Sequence, residues 1–147
     1  EGLAKYPEYA DAFVQRGLTQ EGLGDWTMAV QDYSKAVDLW GGGRGDGVNP
    51  YVLVFRGNAL SRLNQYQDAT EDYLAAADLF ASLGNYDREL DSRANYALAL
   101  YQVLDEAGED KDKAVKIMKY IVRKNPGYSD MHVALAAHAW SVKDIET

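Results

Sequence analysis

The 147-residue chain has no cysteine and only two histidines, and its longest strongly apolar run is the short stretch Tyr51 to Phe55. Each absence excludes something. Without cysteine there is no disulfide framework and no thiolate nucleophile, and an intracellular site fits. The apolar run falls far short of the roughly 20 residues needed to cross a bilayer, so no membrane span is expected. Cations are also scarce, with 15 Lys and Arg against 23 Asp and Glu and a net charge of −8. Neutralising phosphates takes clustered Lys and Arg, so nucleic acid and anionic membranes are not expected as partners, and basic partners are favoured. Residues Glu1 to Pro7 offer no initiating Met, no basic start and no apolar signal core. The chain is therefore expected to be an excised piece without its address label. What remains is a sequence that is 47% apolar and 26% charged, of a length that suits one soluble domain with a real core.

Self-similarity organises that domain. Asp32 to Trp40, DYSKAVDLW, matches Asp72 to Phe80, DYLAAADLF, at a displacement of forty residues. Arg16-Gly17 recurs as Arg56-Gly57, and Ala29 as Ala69, in the same register. A weaker third copy begins at Arg93-Ala94 and continues through Ala114, Met118, Ile121 and Pro126. A fixed period of this size marks a stacked repeat.

Apolar residues fall at helical spacing on both sides of a short break in each copy, which predicts two amphipathic helices per unit. The first pair is expected over 8–23 and 26–39, broken at Gly24-Asp25. The second runs over 50–63 and 66–82, with Asn64-Gln65 as its turn. Asn49-Pro50 is a start signal, because Asn caps orphan N–H groups and proline suits the first helical position. The third pair is expected over 86–107 and 110–124, Pro126-Gly127 stops it, and a last helix follows over 129–141.

On Gly17, Ala29, Tyr33 and Ala36, on Gly57, Ala69, Tyr73 and Ala76, and on Ala114, Met118, Ile121 and Pro126, the chain resembles the tetratricopeptide-repeat (TPR) family over about residues 8 to 142. The resemblance implies an all-α, right-handed superhelix of three helix pairs plus a C-terminal capping helix. Its parts would be repeat 1 over 8–40, a Gly-rich connector over 41–48, repeat 2 over 49–82, repeat 3 over 86–125 and the cap over 128–142. In such a pair, Gly and Ala let the helices approach while large residues fill the gap. Three features depart from the family: the Gly-rich connector, a first helix of the third unit about two turns longer, and Arg16, Arg56 and Arg93 where a large apolar residue is usual. Asp32 and Asp72 lie sixteen residues beyond Arg16 and Arg56, so a helix-to-helix ion pair is expected in each of the first two units.

No constellation points to catalysis, to a cofactor or to a metal. GGGRGDG over 41–47 lacks both the Gly-Lys-Ser/Thr of a phosphate loop and the GxGxxG of a dinucleotide loop, and reads as a connector. Its Arg44-Gly45-Asp46 tripeptide matches an integrin-recognition motif, but no sign of secretion supports that reading. His132 and His138 are displaced by about 600° around a helix and so stand on different sides. The acidic run Asp105 to Asp112 lacks the alternating ligands of a calcium loop. Trp26, Tyr33, Trp40, Tyr66, Tyr73 and Phe80 recur at repeat positions, as core residues do. No Ser-His-Asp order or paired-carboxylate arrangement is present, so the chain reads as no enzyme.

In the family the first helices of successive units line a concave groove that receives extended peptides or helices. Carried over, that geometry assigns Asp11, Val14, Leu18 and Glu21 to the first unit's share. Tyr51, Val54, Asn58, Ser61 and Arg62 form the second, and Arg88, Asp91, Asn95 and Leu98 the third. Asn58 and Asn95 hold equivalent places, and either contact a peptide backbone or bond to neighbouring helices. The family's chaperone-binding members grip a C-terminal carboxylate with Lys, Asn and Arg; Val14 and Leu18 stand where that Lys-Asn pair belongs, so the clamp is not expected here. The resemblance thus implies a non-enzymatic scaffold or assembly factor with a protein or peptide partner. The alternative is an oligomerisation module, such as a homodimer, that associates through the apolar Met131 to Trp140 segment. That last helix is either a cap or the first helix of a truncated fourth unit. The segment NPYVLVFRGNALSRL is similar to repeat proteins of plant and algal plastids, so the cytoplasm and the plastid are the compartments expected.

Overall fold

Among the described residues seven α-helices follow one another: α1 (Pro7–Gly22), α2 (Trp26–Leu39), α3 (Pro50–Arg62), α4 (Tyr66–Ser82), α5 (Tyr86–Glu106), α6 (Asp112–Lys124) and α7 (Ser129–Glu146). They come from a computed structural model that describes residues 7–41 and 47–146. The centre of the Gly-rich connector, with Arg44-Gly45-Asp46, and the start of the chain lie outside the described residues. Helices adjacent in sequence pack on one another throughout, α1 on α2, α3 on α4 and α5 on α6, with α2 against α3 and α4 against α5 joining the pairs. That succession of hairpins is an α–α superhelix, and no strand occurs among the described residues.

Local chemistry sets the helix ends. The Asp25 carboxylate accepts from the Met28 N–H at 3.1 Å, and Asn49 accepts from the Tyr51 N–H at 3.0 Å with Pro50 behind it. Asn85 caps α5 in the same manner. The turn between α1 and α2 uses Gly24 at φ 78°, and the turn forty residues on uses Asn64 at φ 59°. Both sit in the left-handed region, which glycine enters freely and asparagine tolerates better than other side chains. The last helix runs five residues beyond the expected Ser141.

Inside each pair one close approach recurs. A Cβ built on Gly17 would lie 2.5 Å from Tyr33 Cε1, and one on Gly57 2.7 Å from Tyr73 Cε1. Tyr33 and Tyr73 are buried there, with Ala29, Ala36, Ala69 and Ala76 completely covered around them. The core divides in step: one cluster centres on Tyr33, Val52 and Phe80, a second on Met118, Ile121 and Met131, and a third gathers Leu60, Ala69, Tyr73 and Ala99.

The two expected ion pairs form. Arg16 Nε and Nη2 donate to the Asp32 carboxylate at 3.0 and 2.7 Å, and Arg56 Nε and Nη2 donate to Asp72 at 2.8 and 2.7 Å. Burial lifts the Asp72 carboxyl above its ordinary value despite Arg56, while the bond to Asp72 makes Arg56 hold its own proton more tightly. Desolvation of the carboxylate therefore outweighs the pairing on that side. In the third unit the place of Asp32 and Asp72 is taken by Ile117, and Arg93 turns instead to Glu89 at 3.0 Å and Asp78 at 3.6 Å.

Candidate peptide-binding groove

The leading helices α1, α3 and α5 carry the residues assigned to the groove, and the structure gathers one group of them. Tyr51 and Val54 from α3 meet Arg88, Asp91, Asn95 and Leu98 from α5 around an open cavity of about 300 Å³. Phe80 floors it from α4, and Tyr128, Asp130 and Met131 enter from the start of α7. Helical spacing does not point to these last four residues. Phe80 recurs at a core position of the repeat, and the docking of α7 on α5 depends on an angle that no local spacing reports.

The cavity pairs apolar walls with charge. The Tyr51 ring stands edge-on to Phe80, with centroids 5.0 Å apart, and the Arg88 guanidinium lies 5.8 Å from the Tyr51 ring centre. Arg88 Nη1 also reaches Asp91 Oδ2 at 3.3 Å. The Tyr128 hydroxyl donates to the other Asp91 oxygen, so one carboxylate ties the start of α7 to α5. Partial burial, and then the hydrogen bond to Asp91, push the Tyr128 hydroxyl's pKa above its ordinary value. Asn95 lines the cavity between Asp91 and Leu98, and its amide has no hydrogen-bond partner among the described residues.

The other assigned residues lie elsewhere. Val14 is only 8% exposed and belongs to the core, and Leu18 packs against it. Asp11 is exposed on α1. Glu21 is half-buried; its carboxylate adds to the desolvation that raises the Tyr33 hydroxyl's pKa, yet neither Glu21 Oε1 nor that hydroxyl completes a hydrogen bond. In the second unit the equivalent tyrosine is satisfied: the Tyr73 hydroxyl donates to Asn58 Oδ1 at 2.7 Å, with Ser61 Oγ at 3.3 Å. Asn58 thus has its oxygen engaged by its own helix pair, while the residue remains exposed. Arg62 projects over the Trp26 ring at 5.2 Å. His138 shares a hydrogen bond of 3.0 Å with the Tyr101 hydroxyl, and His132 one of 3.1 Å with the Pro126 carbonyl.

The arrangement of hairpins superimposes on a solved structure, the first TPR of Spaghetti (RPAP3) bound to the HSP90 peptide SRMEEVD, with a TM-score of 0.70 over 92% of this chain and 94% of that one. The fold is that of a TPR domain. At 17% sequence identity the likeness is one of fold. No family model matches the sequence, and neither does any curated protein. The resemblance read from Gly17, Tyr33, Gly57 and Tyr73 and the fold of the helices therefore agree. Within the TPR fold, the cavity lies on the leading helices of the second and third units and the helix after them.

Proposed function

We propose that the chain is a non-enzymatic protein-interaction module that receives a peptide or helix of a partner along its leading helices, anchored at the cavity between α3, α5 and α7. One observation carries this reading: an open cavity brings an unpartnered amide, Asn95, beside apolar Val54 and Leu98 and a charged Arg88–Asp91 couple. A small number of polar groups set in an apolar recess fixes the orientation of an incoming chain, while the apolar walls supply affinity. The similar TPR structure with a bound peptide supports this use of the fold. The clamp for a C-terminal carboxylate is not part of the proposal, because Val14 and Leu18 are apolar and face the core.

The test is selection of twelve-residue peptides from a random displayed library, followed by anisotropy titration. Leu98→Glu is expected to weaken the selected peptides by at least about tenfold, and Asn95→Ala by about three- to tenfold. Selected peptides indifferent to both substitutions overturn the reading. The peptide SRMEEVD is expected to show no saturable binding, and micromolar binding abolished by Asn58→Ala would reverse that part.

A second reading, self-association through α7, draws on Val133 at 68% and Trp140 at 71% exposure, although Met131 from the same segment is buried against the chain's own core. Light scattering after size exclusion separates the two, since a concentration-independent monomer removes the second.

A further inference from the structure

Charge is unevenly placed along this chain. Helix α6 carries Lys113, Lys116, Lys119, Arg123 and Lys124 against the single carboxylate Asp112, a net of +4 in a chain of net −8, so the other 134 residues carry −12. All five cations are exposed. None has a carboxylate within 4 Å among the described residues. Spacings of three and four residues align Lys113, Lys116, Lys119 and Arg123, with Lys124 beside the last, as a ribbon about 17 Å long on one side of the helix.

The fold does not require that ribbon. The opposite side of α6 buries Ala114, Val115, Met118 and Ile121, which is what holds the helix in place. On α4 the outward positions matching Lys113, Lys116 and Arg123 are Asp68, Glu71 and Asp78, so the architecture accepts either sign there. Like charges three and four residues apart weaken a helix. The helix dipole favours Arg123 and Lys124 in the last turn, but Lys113 stands at the end where a cation is disfavoured. Two shallow clefts that share the exposed Tyr120 flank the ribbon. One, of about 290 Å³, is formed with Tyr96 and Ile117 and has no carboxylate in its lining; the other, of about 380 Å³, lies against Tyr86 and Leu90 but is also walled by Asp87 and Glu89.

We infer that this face of α6 is a docking surface, separate from the groove, for an acidic segment of a partner protein that carries an apolar side chain among its carboxylates. The ribbon supplies the charge complement, and the cleft that Tyr120 forms with Tyr96 and Ile117, free of carboxylates, takes the apolar side chain. A nucleic-acid duplex fits worse, because a phosphate backbone continuing past so short a ribbon meets the exposed Asp105, Glu106, Glu109 and Asp110. Lipid fits worse as well, because the apolar stripe of α6 is already in the core and has nothing to insert.

The probe is a fluorescein-labelled fourteen-residue peptide with glutamates along one helical face and one phenylalanine among them, titrated against the whole chain. Saturable binding that weakens with added salt is expected. The triple variant Lys116→Glu, Lys119→Glu, Arg123→Glu is expected to lose at least about tenfold in affinity while keeping its circular dichroism, because all three side chains point to solvent. Tyr120→Ala, or serine for phenylalanine in the peptide, is expected to lose about threefold or more. Lys35→Glu on α2 makes a like change of charge outside the ribbon and is expected to have no effect on this binding. Four results overturn the inference: no saturable binding, binding unchanged in the triple variant, tighter binding of a DNA duplex or of phosphatidylserine vesicles at the same salt, or salt-sensitive self-association removed by the triple variant, which would make the occupant a second copy.

Discussion

Alanine in place of Gly57 tests the packing on which each helix pair depends. Two effects of opposite sign meet at this position. Inside a helix, Gly to Ala ordinarily stabilises by about 1 kcal/mol, because the unfolded chain gives up less freedom. Here the new methyl would sit 2.7 Å from Tyr73 Cε1 and 3.0 Å from Cδ1, inside the distances that real Cβ atoms adopt. The ring cannot swing clear cheaply, since Tyr73 is 4% exposed and its hydroxyl is held by Asn58. Overpacking of this kind costs about 1–3 kcal/mol, and displacing the hydroxyl forfeits about 1 kcal/mol more. The clash outweighs the propensity gain, and the expected result is a net loss of about 2 kcal/mol. Gly17→Ala, with its contact at 2.5 Å from Tyr33, is expected to lose a comparable amount.

Urea unfolding followed by circular dichroism gives the comparison, read as midpoints at unchanged slope. The internal control is Gly22→Ala at the end of α1, where an added Cβ meets nothing within 4 Å and the residue is exposed. That variant should be neutral or stabilised by a few tenths of a kcal/mol. A second control removes the obstacle: in a Tyr73→Leu background, adding Gly57→Ala should cost nothing or stabilise. If Gly57→Ala alone raises the midpoint as Gly22→Ala does, the close-approach argument is refuted.

Three further outcomes follow from the same geometry. Tyr73→Phe breaks the bond to Asn58 and should cost about 1 kcal/mol, whereas Tyr33→Phe removes a buried hydroxyl that completes no hydrogen bond and should cost less; equal losses in urea would contradict this. Arg56→Met leaves the Asp72 carboxylate buried without its partner and should destabilise by about 3 kcal/mol at neutral pH. Because Asp72 already has a folded-state pKa above its ordinary value, the folded chain takes up that proton more readily, and this group's contribution is greatest in acid and is lost as pH rises through the folded value. The deficit of Arg56→Met should therefore narrow as pH falls towards the ordinary carboxylate range, and a deficit that widens in acid would exclude the mechanism. Asp91→Asn weakens both the Arg88 and the Tyr128 attachments, so α7 should loosen first, seen as faster amide exchange in α7 than in α3; uniform exchange across the two would speak against Asp91 as the tie.

Much of the fold was legible because its determinants are local and repeated. Asp25, Asn49 and Asn85 cap helices by bonds to residues two or three positions away, and such bonds leave a trace in a short window of sequence. The sixteen-residue step from Arg16 to Asp32 and from Arg56 to Asp72 was visible for the same reason: it stays within one hairpin and occurs twice. The groove was less legible because it is built between hairpins. Val14 was assigned from a place in the pattern, yet whether a residue on α1 faces the trough or the neighbouring unit depends on how α1 leans on α2 and α3. The Asp91–Tyr128 contact joins residues thirty-seven positions apart and has no counterpart in the other units. The basic side of α6 was hidden for another reason. A net charge of −8 summed over the whole chain conceals a helix of +4.

Comparing the first two units position by position shows where this chain is free to vary. Arg16 and Arg56, Gly17 and Gly57, Asp32 and Asp72, and Tyr33 and Tyr73 are identical because each pair does one job inside a hairpin, whether a close approach, the ring that fills it or the ion pair beside it. Leu18 against Asn58 and Glu21 against Ser61 differ, although the tyrosine beside them is the same in both units. In one unit the tyrosine hydroxyl finds an amide and a serine, and in the other it completes no hydrogen bond, even with the Glu21 carboxylate. The hairpin tolerates both the core-packed Leu18 and the exposed Asn58, so this position on the leading helices is set independently of the repeated glycine and tyrosine beside it. A scaffold in which the core repeats and the facing residues do not is one that can acquire a partner without changing its fold.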